Sequence, residues 1–186
     1  MVFNIVLYKI ALAGTGSLFL WLTYFKKKKW LKTVVIGGIF LFAGALLWES
    51  VVSTVLTYLS WQESPVGKFL LPPYQSAYFA RYCFFHYFAS NLITIGGACL
   101  LGLISWILFK RGWITKTAIY LLVLSGLVVG WANFILWIGI LSGLILIQKW
   151  IFPLKKREAL VICLLIALTI VSWWQFWQIL VEVKMF

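Results

Sequence analysis

Four acidic side chains, one histidine and three cysteines are all that this 186-residue chain offers to acid–base, nucleophilic or metal chemistry. Aspartate is absent, so each of Glu49, Glu63, Glu158 and Glu182 carries information. Cys83 and His86 stand three residues apart, which on one helix brings a thiol and an imidazole to neighbouring positions, as a nucleophile and its base require. Glu49 is the carboxylate that could complete such a site. No group that would orient the imidazole is identifiable, and thiols in apolar surroundings are usually inert, so a non-catalytic reading is preferred. The chain has no HExxH, no paired-aspartate motif and no GxxxxGK[ST], which removes the simplest metalloprotease, aspartyl and ATP-hydrolysing readings. Cys83, Cys99 and Cys163 lie far apart without a CxxC, so no metal centre and no cofactor is expected, and all three are read as buried small hydrophobes.

A binding surface is the stronger expectation. Tyr74, Tyr78, Tyr82, His86 and Ser90 recur every four residues and should line one helix face, with Arg81 beside it. Such a stripe could wall an outward-facing cavity for a hydrophobic peptide, with Glu49, Glu182, Arg81 and His86 at its mouth and Arg81 as ion partner of Glu49 and Glu182. The alternative is an interfacial helix whose tyrosines snorkel to the headgroups. Asn91 and Asn133 are amides inside apolar runs. They read first as packing groups that need hydrogen-bond partners and second as contacts to substrate, and Asn133 could cap a half-helix. Glu158, in a basic turn at a helix start, suits the helix dipole.

The elements that must position these residues follow from composition. The hydrophobic share is 64% and the mean hydropathy is +1.03, far above the roughly 45–50% of a soluble domain, so the expected solvent is lipid. At about 20 apolar residues per crossing, the expectation is an all-α, polytopic integral membrane bundle. It is a single transmembrane domain over residues 1–186, with about six membrane segments including a short broken hairpin. The net charge of +12 is gathered in short clusters beside apolar runs, which reads as membrane anchoring and not as nucleic-acid binding.

Residues 3–25 form a first span, which contains Lys9, lacks a small-residue cleavage site and is read as retained. The run Lys26, Lys27, Lys28, Lys29, with Trp30 and Lys32, marks the cytoplasmic side. A second span from about Thr33, through Gly37, Gly38, Ala43 and Gly44, reaches Trp48 and Glu49 near the outer boundary. The segment from Trp61 to Tyr74, with Pro72 and Pro73, is an expected outer loop. An outer or tilted aromatic helix over residues 75–89 then precedes a span from Ser90 to Phe109, which ends at Lys110, Arg111 and Lys116.

The apolar stretch from Thr117 to Ile147 has basic flanks at both ends, with Lys149, Lys155, Lys156 and Arg157 after it. A break at Gly130-Trp131-Ala132-Asn133 would let two short helices enter and return to the same side, the arrangement preferred over one long tilted helix. Gly126/Gly130 and Gly139/Gly143 have the GxxxG spacing of close helix contacts. After Pro153 a last span runs from Glu158 or Ala159 to about Val181, with Trp173, Trp174 and Trp177 at its outer end. The expected location is a bacterial cell membrane, multi-pass, with basic loops cytoplasmic and both termini outside.

The stretch FHYFASNLITIGGACLLGLISWILFKRG, residues 85–112, resembles the stage II sporulation protein M family, in which an aromatic helix leads to Asn-Leu, a glycine-broken apolar run and a basic turn. The closing section, from Gly130 to a terminal acidic position matched by Glu182, is similar to that family's end. The chain departs from the pattern in having Leu92 where the family often has a second Asn after the one equivalent to Asn91, and Asn133 where the family has an acidic residue. The resemblance implies a non-enzymatic membrane component of a complex. Its setting would be membrane remodelling or, as for members found in circular-bacteriocin systems, peptide maturation, export and immunity beside an ABC-type ATPase. An intramembrane peptidase or ligase acting near the outer leaflet, and a structural membrane scaffold, stand as alternatives.

Overall fold

Long apolar runs free of proline make helix the default state of this chain, and glycine, proline and small polar residues decide where each helix stops. The structure, a computed structural model, describes residues 14–25, 30–130, 133–151 and 156–184. Among the described residues it is all-helical, with no strand. In chain order the helices are α1 (residues 14–25), α2 (Leu31–Glu63), α3 (Ser76–Cys83), α4 (Ala89–Lys110), α5 (Lys116–Val129), α6 (Phe134–Ile151) and α7 (Lys156–Lys184). A 3-10 turn, Gly67–Leu70, lies between α2 and α3, and a π-helical turn, Phe84–Phe88, joins α3 to α4 without a break. Among the described residues, two helical runs are long and apolar enough to cross a membrane, Leu31–Glu63 and Ser76–Lys110.

Short α5 is the axis of the bundle. Its side chains are buried on nearly every side, including Ala118, Leu121, Leu124, Ser125, Leu127 and Val129. Helices α2, α4 and α7 pack around it. Gly126 sets the distance to α4, since a Cβ there would meet Leu101 Cδ1 at 3.0 Å and the backbone Cα of Ala98 at 3.2 Å. Thr115 caps the start of α5, its hydroxyl accepting from Ala118 N–H at 3.2 Å. At the other end Gly130 stops the helix with φ 68° and ψ 172°, a conformation in effect confined to glycine.

Specific contacts fix the helix directions. Lys32 lies 5.6 Å from the Tyr120 ring, and Lys116 lies 5.8 Å from the Phe109 ring, so α2 and α5 begin at the end of the bundle where α4 finishes. Gln175 donates from Nε2 to the carbonyls of Val129 at 3.0 Å and Val128 at 3.4 Å, which satisfies two carbonyls in the last turn of α5. Leu168 stands lower down beside Leu124 and Val128, so α7 runs parallel to α5. Because α6 follows the Gly130 break and packs along α7, the chain reverses between α5 and α6. Trp21 Nε1 donates to Thr169 Oγ1 at 3.0 Å and ties α1 to α7.

The expected break is present, with α5 ending before Gly130 and α6 restarting at Phe134, while Trp131 and Ala132 lie outside the described residues. The two arms do not zip together, since both pack on α7 and hardly on each other. Of the glycine pairs, Gly126 makes the close approach and Gly130 ends the helix, whereas a Cβ at Gly139 or Gly143 would meet nothing within 4 Å. Three other expectations need correction. The second helix continues to Glu63, into the first residues of the outer loop expected from Trp61. Residues 75–89 form no separate aromatic helix, because the π-helical turn carries α3 into α4. Cys99 is exposed on α4, while Cys83 and Cys163 are buried. The first half of the expected first span, Lys9, Lys26 to Lys29, Pro153 and Lys155 lie outside the described residues.

Candidate functional site

Four hydroxyl residues of α2, Ser50, Ser53, Thr54 and Thr57, stand at positions i, i+3, i+4 and i+7 and so share one helix face. That face meets α3 and α4. Asn91 Nδ2 lies 3.0 Å from the Leu46 carbonyl, 2.9 Å from Ser50 Oγ and 3.3 Å from Glu49 Oε2. An amide NH2 has only two hydrogens, so the three acceptors share them. Ser50 Oγ in turn lies 2.9 Å from the Tyr87 carbonyl and 3.1 Å from the Leu46 carbonyl, and it donates to one of them. Two turns further along α2, Thr57 Oγ1 and the Tyr87 hydroxyl are 2.6 Å apart. The Cys83 thiol faces Thr54.

This seam is continuous with an aromatic cluster. Trp61 meets Tyr82 at 4.9 Å between ring centroids, Phe79 at 5.6 Å and Tyr78 at 6.4 Å, and Tyr58 meets Phe79 at 5.8 Å. His86 stacks on Tyr82 at 4.0 Å, and its Nδ1 lies 3.1 Å from the Tyr82 carbonyl.

The structure therefore divides the residues singled out in the sequence. It brings Glu49 and Asn91 together, and it groups Tyr78, Tyr82 and His86 around Trp61. It does not join Cys83 to His86, because the thiol turns inward toward Thr54 while the imidazole is exposed on the Tyr82 ring. Arg81 is exposed, and the Glu49 carboxylate meets the Asn91 amide. Asn133 precedes α6, its carbonyl accepting from Trp137 N–H at 3.0 Å. Glu182 falls in the final turn of α7, and its side chain, like that of Glu158, lies outside the described ones.

The physical reason for this division is the π-helical turn. Ala89 N–H bonds back to the Phe84 carbonyl, five residues away, so this turn holds one residue more than an α-turn. The row facing α2 becomes Cys83, Tyr87 and Asn91, while His86 and Ser90 are exposed. Ser50, Thr57, Tyr87 and Gln175 were not singled out in the sequence. The four-residue polar face on α2 is the signal that could have found the first two.

Chemically the seam offers hydrogen bonding, with its carboxylate beside an amide and its thiol facing a hydroxyl. Two apolar cavities open elsewhere. One, of about 240 Å³, lies between α1, α2, α5 and α7 against Gly37, Gly38, Leu124 and Leu168. The other, of about 280 Å³, lies between α4 and the Gly130 break, against Thr94, Gly97, Gly126 and Phe134. The chain matches no protein-family model, no curated protein and no solved structure.

Proposed function

We propose that the chain is a polytopic integral protein of a bacterial cell membrane, with basic loops cytoplasmic and both termini outside. In this reading it is a non-catalytic subunit of a complex that matures, exports or gives immunity to a hydrophobic, bacteriocin-like peptide beside an ABC-type ATPase.

The observation that carries the membrane reading is the mismatch between hydropathy and burial in the two longest helical runs. Only 17% of the most apolar window of each is buried. Phe40 is 75% exposed, Trp48 67% and Leu103 63%. In water such a surface would be a large aggregation-prone patch, whereas in hydrocarbon it needs no cover. Exposed Trp30 and Trp113 at the basic end, and Trp173, Trp174 and Trp177 toward the end of α7, suit two headgroup belts.

The subunit reading is supported by what the seam lacks and by what the outer faces offer. Cys83 and His86 are apart, and Gly37, Gly44, Gly96 and Gly97 face open space, where a further helix could approach closely. The peptide and the ATPase rest on the resemblance of residues 85–112 to the stage II sporulation protein M family. A structural scaffold for membrane remodelling is the second reading, favoured by the engagement of Glu49, Ser50 and Asn91 in helix packing.

Two measurements test these layers. The chain should stay with the membrane after alkaline carbonate extraction, and its release would end the membrane reading. A tagged chain should co-purify with an ATP-hydrolysing partner, and its deletion should impair peptide export or immunity. A solitary monomer whose loss has no such effect would overturn the subunit reading.

A further inference from the structure

Where α4 turns into α5, two lysines rest on one pair of aromatic rings. Gly112, with φ 74°, closes the turn, and its N–H bonds to the Phe109 carbonyl at 2.8 Å. Lys110 Nζ lies 6.0 Å from the Trp106 ring, Lys116 Nζ lies 5.8 Å from the Phe109 ring, and those two rings are themselves 6.0 Å apart between centroids. Both lysines are exposed. Among the described residues the acidic side chains, Glu49 and Glu63, stand on the far half of α2, so this corner is cationic with no carboxylate beside it. The Lys110 face continues as apolar surface. Trp106, Leu103, Cys99, Gly96 and Leu92 follow Lys110 back along α4 at steps of three or four residues, and all are exposed. The stripe is about 27 Å long.

We propose that this corner binds an anionic phospholipid of the cytoplasmic leaflet, a site that rests on the membrane reading above. The headgroup phosphate meets Lys110 and Lys116, and an acyl chain lies along α4 over Trp106 and Leu103. Three features select this occupant. Cation and apolar stripe share one helix face, which matches an amphiphile, whereas an acidic protein segment would match the lysines and leave the stripe bare. The ammoniums are already held on rings, so less side-chain freedom is lost when a phosphate arrives. Trp106 and Trp113 are exposed at the same end, at the level where indoles border headgroups and juxtamembrane lysines meet anionic lipids.

The test uses full-length chain purified from the membrane fraction, so that a failure here leaves the membrane reading standing. Thermal stability in mild detergent is measured with added phosphatidylglycerol, phosphatidylcholine of the same chains, inorganic phosphate or a polyglutamate peptide. Both lipids should stabilise, with half-saturation at least about fivefold lower for phosphatidylglycerol, as one or more surface lysines would give, and phosphate and peptide should do nothing. Lys110→Gln and Lys116→Gln should each lower the preference, and together abolish it while keeping the phosphatidylcholine response. Lys68→Gln removes a lysine held 5.4 Å from the Phe69 ring near the other end of the bundle, and should leave the preference intact. Trp106→Ala, at an exposed position, should weaken the response to both lipids. An unchanged preference in the double variant, its loss in Lys68→Gln, an unchanged lipid response in Trp106→Ala, or an equal effect of inorganic phosphate would each overturn the site. Stabilisation by the peptide equal to that by phosphatidylglycerol would overturn it too, and assign the corner to an acidic protein partner.

Discussion

The amide of Asn91 on α4 reaches across to α2 and lies 3.3 Å from the Glu49 carboxylate and 2.9 Å from Ser50 Oγ. This contact sits in the middle of two long antiparallel runs. Removing it takes the amide donor away from three acceptors, the Leu46 carbonyl, Ser50 Oγ and Glu49 Oε2. Asn91→Ala is expected to lower stability by about 1 kcal/mol, the scale of an interhelical hydrogen bond in a membrane protein. Asn91→Asp should cost more at neutral pH, because it sets a second carboxylate beside Glu49. Unfolding midpoints of the two variants in mild detergent check the order, and an Asp variant as stable as the Ala variant would contradict it.

The glycines of α5 and α6 should respond oppositely to the same change. At Gly126 a Cβ would crowd the Ala98 backbone at 3.2 Å, so Gly126→Ala should destabilise by about 1–3 kcal/mol through overpacking of α4 against α5. At Gly139 a Cβ meets nothing within 4 Å, and Gly139→Ala should stay within about 0.5 kcal/mol of the parent. Equal effects at both positions, read from denaturation curves, would argue against the close α4 to α5 approach.

Gly130 is needed for its backbone and not for its size. With φ 68° and ψ 172° it occupies a region that a Cβ makes costly by about 1–3 kcal/mol. Gly130→Ala should therefore lower thermal stability even though the nearest atom to the new Cβ, Thr94 Oγ1, is a full 4.0 Å away. A neutral substitution would mean that α5 and α6 join in another way.

Cys83 and His86 are expected to be separable. Cys83→Ala should leave any assayed export or immunity function at parental levels, since the thiol faces Thr54 and not the imidazole. His86→Ala, at an exposed position, should change stability little. Loss of function in Cys83→Ser and Cys83→Ala alike, at normal protein levels, would reinstate the thiol as a nucleophile.

Much of this architecture was legible in the residues. The break after α5 was, because a glycine followed shortly by an asparagine interrupts an apolar run that is otherwise helical. The pairing of Asn91 with a neighbouring helix also was, since an amide in an apolar segment has few other ways to satisfy its hydrogens. The π-helical turn was not, because nothing in Phe84-Phe85-His86-Tyr87-Phe88 distinguishes a five-residue turn from an α-turn. That one extra residue moved Tyr87 into the seam and His86 out of it. Helix α2 overruns the expected start of the outer loop at Trp61 by three residues, because Trp61, Gln62 and Glu63 contain no helix breaker. Gln175 stood in a tryptophan-rich stretch that reads as a belt, which concealed an amide that caps the end of α5.

The central claim is that the basic end of the bundle faces the cytoplasm and the far end of α2 faces out. In a chain lacking Cys83, Cys99 and Cys163, single cysteines are placed at Lys116 and at Gln62, and intact cells are treated with a membrane-impermeant maleimide. The account predicts labelling of Gln62→Cys and protection of Lys116→Cys until the cells are opened. Labelling of Lys116→Cys from outside would contradict it.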